Sequence, residues 1–322
     1  MRTAAIIPLY NKESAIVRTL TSVRLQTVPV DEIIVVNDGS TDGSEKAARS
    51  VCDARIRIVT TANHGESHAR NYAAAMAGDA DVLLLLDADD EWHPQFVETI
   101  LRLLRDFPAA RAAATGYQYQ RRDGRTSAPP FCVHGAPGRG AILENYFRLA
   151  VTASPLTSSS VGIYRSTFEE LGGFGQQQRR GMDLAFWTTL ALQAPIAFDP
   201  AVLATYHLNA ENRICESVFV EERPFICGLL FEYISSDLTE ADRKAELAAY
   251  YDWNVFDAAR QNLIAGRPTT ARRVLNSGPW IPRRRVTWLW YLLLSALPPS
   301  IFQYVYRMAR ARMRATAGGV PC

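Results

Sequence analysis

Cysteine is sparse and unpatterned. Cys52, Cys132, Cys215, Cys227 and Cys322 are odd in number, widely spaced and contain no C-x-x-C. That argues against a disulfide framework or a cysteine-zinc site and fits a reducing compartment. Met1-Arg2-Thr3 passes directly into strand-like Ala4–Ile7, so no N-terminal signal is expected. A membrane span needs ~20 apolar residues, whereas the apolar stretch Val286–Leu297 stops after 12 at Pro298-Pro299. Two common phosphate cradles are missing, since no G-x-G-x-x-G follows the first strand and no G-x-x-x-x-G-K-[ST] occurs. Dinucleotide and P-loop readings are thereby disfavoured, and any bound diphosphate needs its charge balanced by something other than a glycine-rich nest. No internal repeat is present. Acidic residues are absent from 258–322, which holds 11 arginines and no lysine, leaving the preceding 257 residues at a net charge of −9.

What is present has a β-α-β-α rhythm. Ala4–Ile7, Glu32–Val36, Ile56–Val59 and Val82–Leu86 read as buried strands, alternating with helical spacing over Ser14–Leu25, Ser44–Val51 and Ser67–Ala77. This alternation predicts a parallel sheet with helices on both faces, binding its ligands at the carboxyl ends of the strands. Residues 120–140 read as a loop or hairpin, Ile142–Val151 as a helix, and Ser158–Tyr164 as a turn and strand. A helix is expected from near Arg165, then a positive-φ turn at Gly172-Gly173-Phe174, a helix over Asp183–Leu192 and a strand over Ala201–His207. From about Glu216 the pattern is all-helical. The expected domains are 1–215 and 216–322.

Three strand ends carry polar residues: Pro8-Leu9-Tyr10-Asn11, Asn37-Asp38-Gly39-Ser40 and Asp87-Ala88-Asp89-Asp90. Aspartates this close raise one another's pKa unless a cation or hydrogen-bond donors compensate. One reading is a divalent cation, Mg²⁺ or Mn²⁺, held by Asp87 and Asp89. The other is a solvated turn in which Asp90 caps a helix with Pro94 in its first turn.

The ordered motifs IIPLYNKE (6–13), VVNDGSTD (35–42), NHGESHARN (63–71) and LLDADD (85–90), followed by GGF and MDLAFW within 172–187, resemble the inverting family 2 glycosyltransferases. The resemblance covers residues 3–210. It implies a GT-A fold, α/β and Rossmann-like, with a mostly parallel sheet flanked by helices and here an all-helical C-terminal extension. It implies transfer of a sugar from a nucleotide-diphosphate donor, with a UDP-sugar favoured, to a glycan or lipid-linked acceptor in cell-surface polysaccharide synthesis. Carried over by position, Pro8, Tyr10, Asn11 and Glu13 would shape the nucleotide pocket, Asp38 would accept the base N–H, and Asp87 would approach the ribose. Arg70 would stabilise phosphate, Asp89 would hold the Mn²⁺ or Mg²⁺, and Asp183 would be the general base. Trp187 belongs to the acceptor side or to the core beneath it.

The same residues have plainer uses: Asp38 in an Asx turn, Asp42 as a helix cap, Asp183 capping the helix it opens. His64 and His68, four apart, lack a third ligand at regular spacing. Two positions depart from the family pattern. Met182 stands where a Glu usually precedes the base. Asn209 stands where a metal-binding His is common, so either the register slips and His207, two residues earlier, ligates the metal, or Asp89 and the diphosphate hold it alone. Two alternatives stay open: a metal-dependent nucleotide-sugar hydrolase or nucleotidyltransferase, using the same carboxylates with water or phosphate as nucleophile, and, from these departures, a catalytically silent nucleotide-sugar-binding scaffold. The basic, aromatic tail suggests an element lying on an anionic membrane surface, or a helix packed on the catalytic domain. The expected location is cytoplasmic, peripheral at the inner face of the membrane, with no nucleic-acid partner.

Overall fold

The computed structural model describes residues 1–131, 133, 135–176, 181–208, 223–237, 239–277, 285–304 and 306. The chain divides into two compact units, Met1–Tyr146 with Thr152–Ile214, and Phe147–Val151 with Cys215–Cys322.

The first unit is built on a ten-stranded mixed sheet of order β3-β2-β1-β4-β9-β6-β10-β5, with β7 on β6 and β8 on β10. Its parallel half is β1 (Thr3–Leu9), β2 (Glu32–Asp38), β3 (Ile56–Thr61) and β4 (Val82–Leu85). β1 and β4 are buried along their whole length, as strands covered on both faces must be. Side chains alternate between those faces. Ala5, Ile7, Leu9, Leu84 and Leu86 enter one core with Ile16 and Leu20 of α1 (Ile16–Arg24) and Phe96, Ile100 and Leu103 of α4 (Phe96–Asp106). Fully burying each such large side chain stabilises the fold by about 1.5–3 kcal/mol. Against the opposite face α3 (Glu66–Met76) packs on β1 and β2 through small residues, Ala69 and Ala73, which brings its backbone close to the sheet. α2 (Ser44–Arg49) follows the loop after β2.

β5 (Glu91–Trp92) pairs antiparallel with β10 (Ile196–His207), which runs parallel to β6 (Ala112–Gln120). β9 (Val161–Tyr164) is antiparallel to both β4 and β6 and joins the two halves of the sheet. β6 was not evident in the sequence, because its first half, Ala112-Ala113-Ala114-Thr115-Gly116, is made of small residues with Thr115 its single strand-favouring one. β7 (Thr126–Ser127) folds back on β6 as the hairpin expected near 120–140. The helix expected over Ile142–Val151 is shorter. Ala141–Ile142 forms β8 against Phe198 and Ala197, and only Tyr146–Ala150 is helical (α5). Asp90 does not cap a helix either: α4 begins after Gln95, with no side-chain cap. Two further helices follow, α6 (Arg165–Glu170) and α7 (Met182–Gln193).

The second unit is helical: α8 (Phe225–Ser235), α9 (Ala241–Ile264), α10 (Pro268–Asn276) and α11 (Arg285–Ala296). α9 buries Tyr250, Val255, Ala259 and Leu263 and packs on α8 and α10, and Phe147 lies against Tyr250 at 5.7 Å. Pro268 opens α10, where its fixed φ suits a first turn. Among the described residues no helix is long and apolar enough to cross a membrane.

Candidate active site

The loops after β1 and β2 are bound to each other. Asn11, in left-handed backbone at φ 51, donates its N–H to Ser40 Oγ at 3.1 Å and accepts the Thr41 N–H on Oδ1 at 2.8 Å. Glu13 Oε2 accepts the Gly43 N–H at 3.0 Å, and the Lys12 N–H donates to Ser44 Oγ at 2.7 Å. Asp42 accepts the Ser44 N–H at 3.0 Å at the entry to α2. Asp38 fixes the next loop, its two oxygens accepting the His64 and Gly65 N–H groups at 2.8 Å each. Pro8 is buried near the end of β1, and Tyr10 stands exposed just past Leu9. These side chains therefore hold one edge of the sheet as a connected rim.

Arg70 is the buried cation behind that rim. One of its terminal nitrogens reaches Glu66 Oε1 at 2.5 Å and Asp87 Oδ1 at 2.6 Å, and its guanidinium lies 5.0 Å from the centre of the Phe174 ring. Burial works against the charged guanidinium, but Glu66 and Asp87 outweigh it and raise its pKa. Asp87 is pushed upward by desolvation, which Arg70 opposes and Asp89 reinforces. Glu66 keeps 42% of its side chain exposed, yet the cleft crowds it. Desolvation first, then Asp87, Asp183 and Asp89, against the pull of Arg70, bring its carboxyl up to about 7. Glu66 was missed in the sequence, where only its place four residues before Arg70 on a helix signals the pair.

The DADD aspartates have three different fates. Asp87 belongs to Arg70. Asp89 Oδ2 is paired with Lys12 Nζ at 2.7 Å, and its backbone carbonyl accepts from Arg18 at 2.6 Å. Asp90 is buried, accepting Ser159 Oγ at 2.6 Å and the His207 N–H at 3.0 Å. Its pKa is raised well above the usual carboxylate range by burial and then by Asp89 and Asp87. His207 is buried at the end of β10, with Nε2 3.3 Å from Glu91 Oε1. Asn209 lies outside the described residues. A divalent cation asks for several oxygen ligands. Here Asp89 is already held by an ammonium, His207 turns to Glu91, and among the described residues no three His, Cys, Asp or Glu side chains group as ligands. Among the described residues the side chains as placed do not fit a metal.

Asp183 lies in the first turn of α7, after Gly181 at φ 80, and its charge acts on Glu66, Asp87 and Arg70. The start of α7 is steadied from beneath. Trp187 is fully buried among Phe174 and Phe186, so it belongs to the core rather than to an acceptor surface. Asn71 clamps the preceding turn, donating to the Phe174 carbonyl at 2.7 Å and accepting the Phe174 N–H at 2.8 Å. Gly172 and Gly173 take positive φ, 77 and 66, and a Cβ on Gly173 would meet Asn71 Oδ1 at 2.6 Å.

The chain is 36% identical over 125 residues to the hyaluronan synthase of Streptococcus pyogenes, covering 36% of this chain and 29% of that protein. It is 34% identical over 122 residues to the glycosyltransferase GlyA of Streptococcus pneumoniae, covering 37% of this chain and 17% of that one. The chain thus spans under a third of the length of these two relatives. The fold is that of Staphylococcus aureus TarS 1–349, solved in complex with UDP-GlcNAc: TM-score 0.71 at 17% identity, over 96% of this chain and 92% of that one. Residues 4–171 match the model of glycosyl transferase family 2, and the chain belongs to that family.

Proposed function

We propose that this chain transfers a sugar from a nucleotide-diphosphate donor, a UDP-sugar in the first instance, to a hydroxyl of a glycan or lipid-linked acceptor with inversion at the anomeric carbon. The observation that carries the reading is the place of Asp183, in the first turn of α7 directly after left-handed Gly181, in the same compact unit as the Arg70–Asp87–Glu66 ion-pair cluster. Asp183 takes the acceptor proton as the acceptor oxygen bonds to the anomeric carbon. The bond from that carbon to the diphosphate oxygen breaks on the opposite face, and the nucleotide diphosphate leaves with the electron pair. No covalent enzyme intermediate is needed. Lys12, Arg18 and Arg70 are among the cations at this edge of the sheet, and Arg70, with its planar fork, suits phosphate. The names of the relatives, a hyaluronan synthase and a UDP-GlcNAc-bound glycosyltransferase, support the donor class and a place in cell-surface polysaccharide synthesis.

The test is incubation of the purified chain with a panel of nucleotide sugars and saccharide acceptors, reading both nucleotide release and sugar transfer. Transfer from a UDP-sugar, with product of inverted configuration by NMR, is expected. Nucleotide release with the sugar delivered only to water identifies a hydrolase instead, and tight nucleotide binding without turnover identifies a silent scaffold.

A further inference from the structure

α11 has two faces, and only one is accounted for. Its inner face is packed: Tyr291 stacks on Phe256 of α9 at 5.3 Å, the Trp288 Nε1–H donates to the Leu275 carbonyl at 3.3 Å, and Ser295 is buried against the Arg272 guanidinium. Its outer face is apolar as well. Val286, Leu289, Trp290 and Leu293 fall on one stripe at spacings of three and four, and each is 53–83% exposed. Ile301 and Tyr304, just past Pro298-Pro299, are exposed too. An outward helix face on a water-soluble unit is ordinarily polar. Contiguous apolar surface of this kind marks an interaction site.

The charge around the stripe says what covers it. Arg283, Arg284 and Arg285 precede it, Arg307, Arg310, Arg312 and Arg314 follow, and no acid occurs from 258 to 322. An apolar stripe carrying a tryptophan, between arginine clusters and on a helix of only 12 residues, matches a segment lying in the headgroup region of a bilayer, not one crossing it. We infer that the outer face of α11 docks on an anionic lipid surface, with Leu289, Trp290 and Leu293 entering the acyl boundary and the flanking arginines meeting lipid phosphates. This inference is independent of the reaction assigned above.

The test uses the full chain and flotation with vesicles of phosphatidylcholine alone or mixed with phosphatidylglycerol. Wild type is expected to float with the anionic vesicles at least tenfold more than with the neutral ones, since each arginine near such a surface multiplies partitioning by about fivefold. Added salt should weaken it. Leu289→Glu/Trp290→Glu/Leu293→Glu should lose flotation while keeping the wild-type unfolding midpoint, because these side chains are exposed. Arg283→Gln/Arg284→Gln/Arg285→Gln, which leaves the stripe and the four later arginines intact, should still float but with its preference for anionic vesicles lowered by about a hundredfold. Equal partitioning of wild type into both vesicles, or undiminished flotation of the stripe variant, overturns the inference. So does a wild-type dimer by light scattering that the stripe variant turns into monomer without either floating, since the face then belongs to a second copy.

Discussion

Lys12 Nζ lies 2.7 Å from Asp89 Oδ2, and both side chains are largely buried, at 15% and 16% exposure. The pair joins the loop after β1 to the loop after β4 and sets one ammonium against the run of aspartates. Removing one partner of such a pair leaves the other's charge poorly compensated, whereas removing both does not. Lys12→Ala should therefore cost more stability in the wild-type background than in Asp89→Asn, with a coupling of roughly 1–3 kcal/mol in a double-mutant cycle read by urea unfolding. Additive effects would mean the contact contributes nothing. Lys12→Ala also frees a carboxylate, so Mn²⁺ should raise its melting temperature more than that of wild type.

Asp183→Asn keeps the shape of the side chain and removes its capacity to accept a proton. Nucleotide affinity by calorimetry should stay within a few-fold of wild type, while transfer falls by roughly two to four orders of magnitude. Undiminished transfer would move the base to another carboxylate, with Glu66 the first to test.

Glu66 predicts a pH dependence. Its carboxyl titrates at about 7 in the folded chain against an ordinary 4.5, so between these values the native state holds a proton that the unfolded chain has released. Stability must then fall as pH rises across that window and level off above it. Glu66→Gln should remove this slope. Because the side chain is 42% exposed, solvent screening reduces the gain to about 1 kcal/mol at pH 8. Parallel stability curves for the two proteins from pH 5 to 8 would refute the assignment.

The clamp from Asn71 to Phe174 ties α3 to the turn that leads toward Asp183. Gly173→Ala meets both a left-handed backbone and the Asn71 side chain. It should destabilise the fold by about 1–3 kcal/mol. An unfolding midpoint equal to wild type would show that the turn tolerates the methyl group.

How far the sequence could be read depended on whether a feature is local. The apolar runs of β1, β2 and β4 announce themselves, as do the polar residues at their ends and the glycines before Phe174. β6 does not, because its small residues acquire strand character only between β9 and β10. The metal reading of Asp89 and His207 followed from family pattern. The partners those side chains take in this chain, Lys12 and Glu91, come from distant loops and from β5. Trp187 could be assigned to core or acceptor surface only once Phe174 and Phe186 were seen around it.

Asp90 shows the same limit most sharply, since its partners Ser159 and His207 lie 69 and 117 residues away. Ser159 Oγ also accepts the Asp87 N–H at 3.2 Å, so this buried carboxyl ties the end of β4, the entry to β9 and the end of β10 together. A carboxyl pushed well above its usual range by burial behaves toward its neighbours much as a neutral amide does. Asn can still accept the His207 N–H and present a donor to Ser159 Oγ, so Asp90→Asn should unfold within about 1 kcal/mol of wild type. Asp90→Ala leaves the buried His207 N–H without that acceptor and opens a cavity beside Ser159, and should cost roughly 2–4 kcal/mol. Urea midpoints at neutral pH give the order. If Ala is tolerated as well as Asn, the three strand ends are held by packing alone, and the third aspartate of the motif has no structural task.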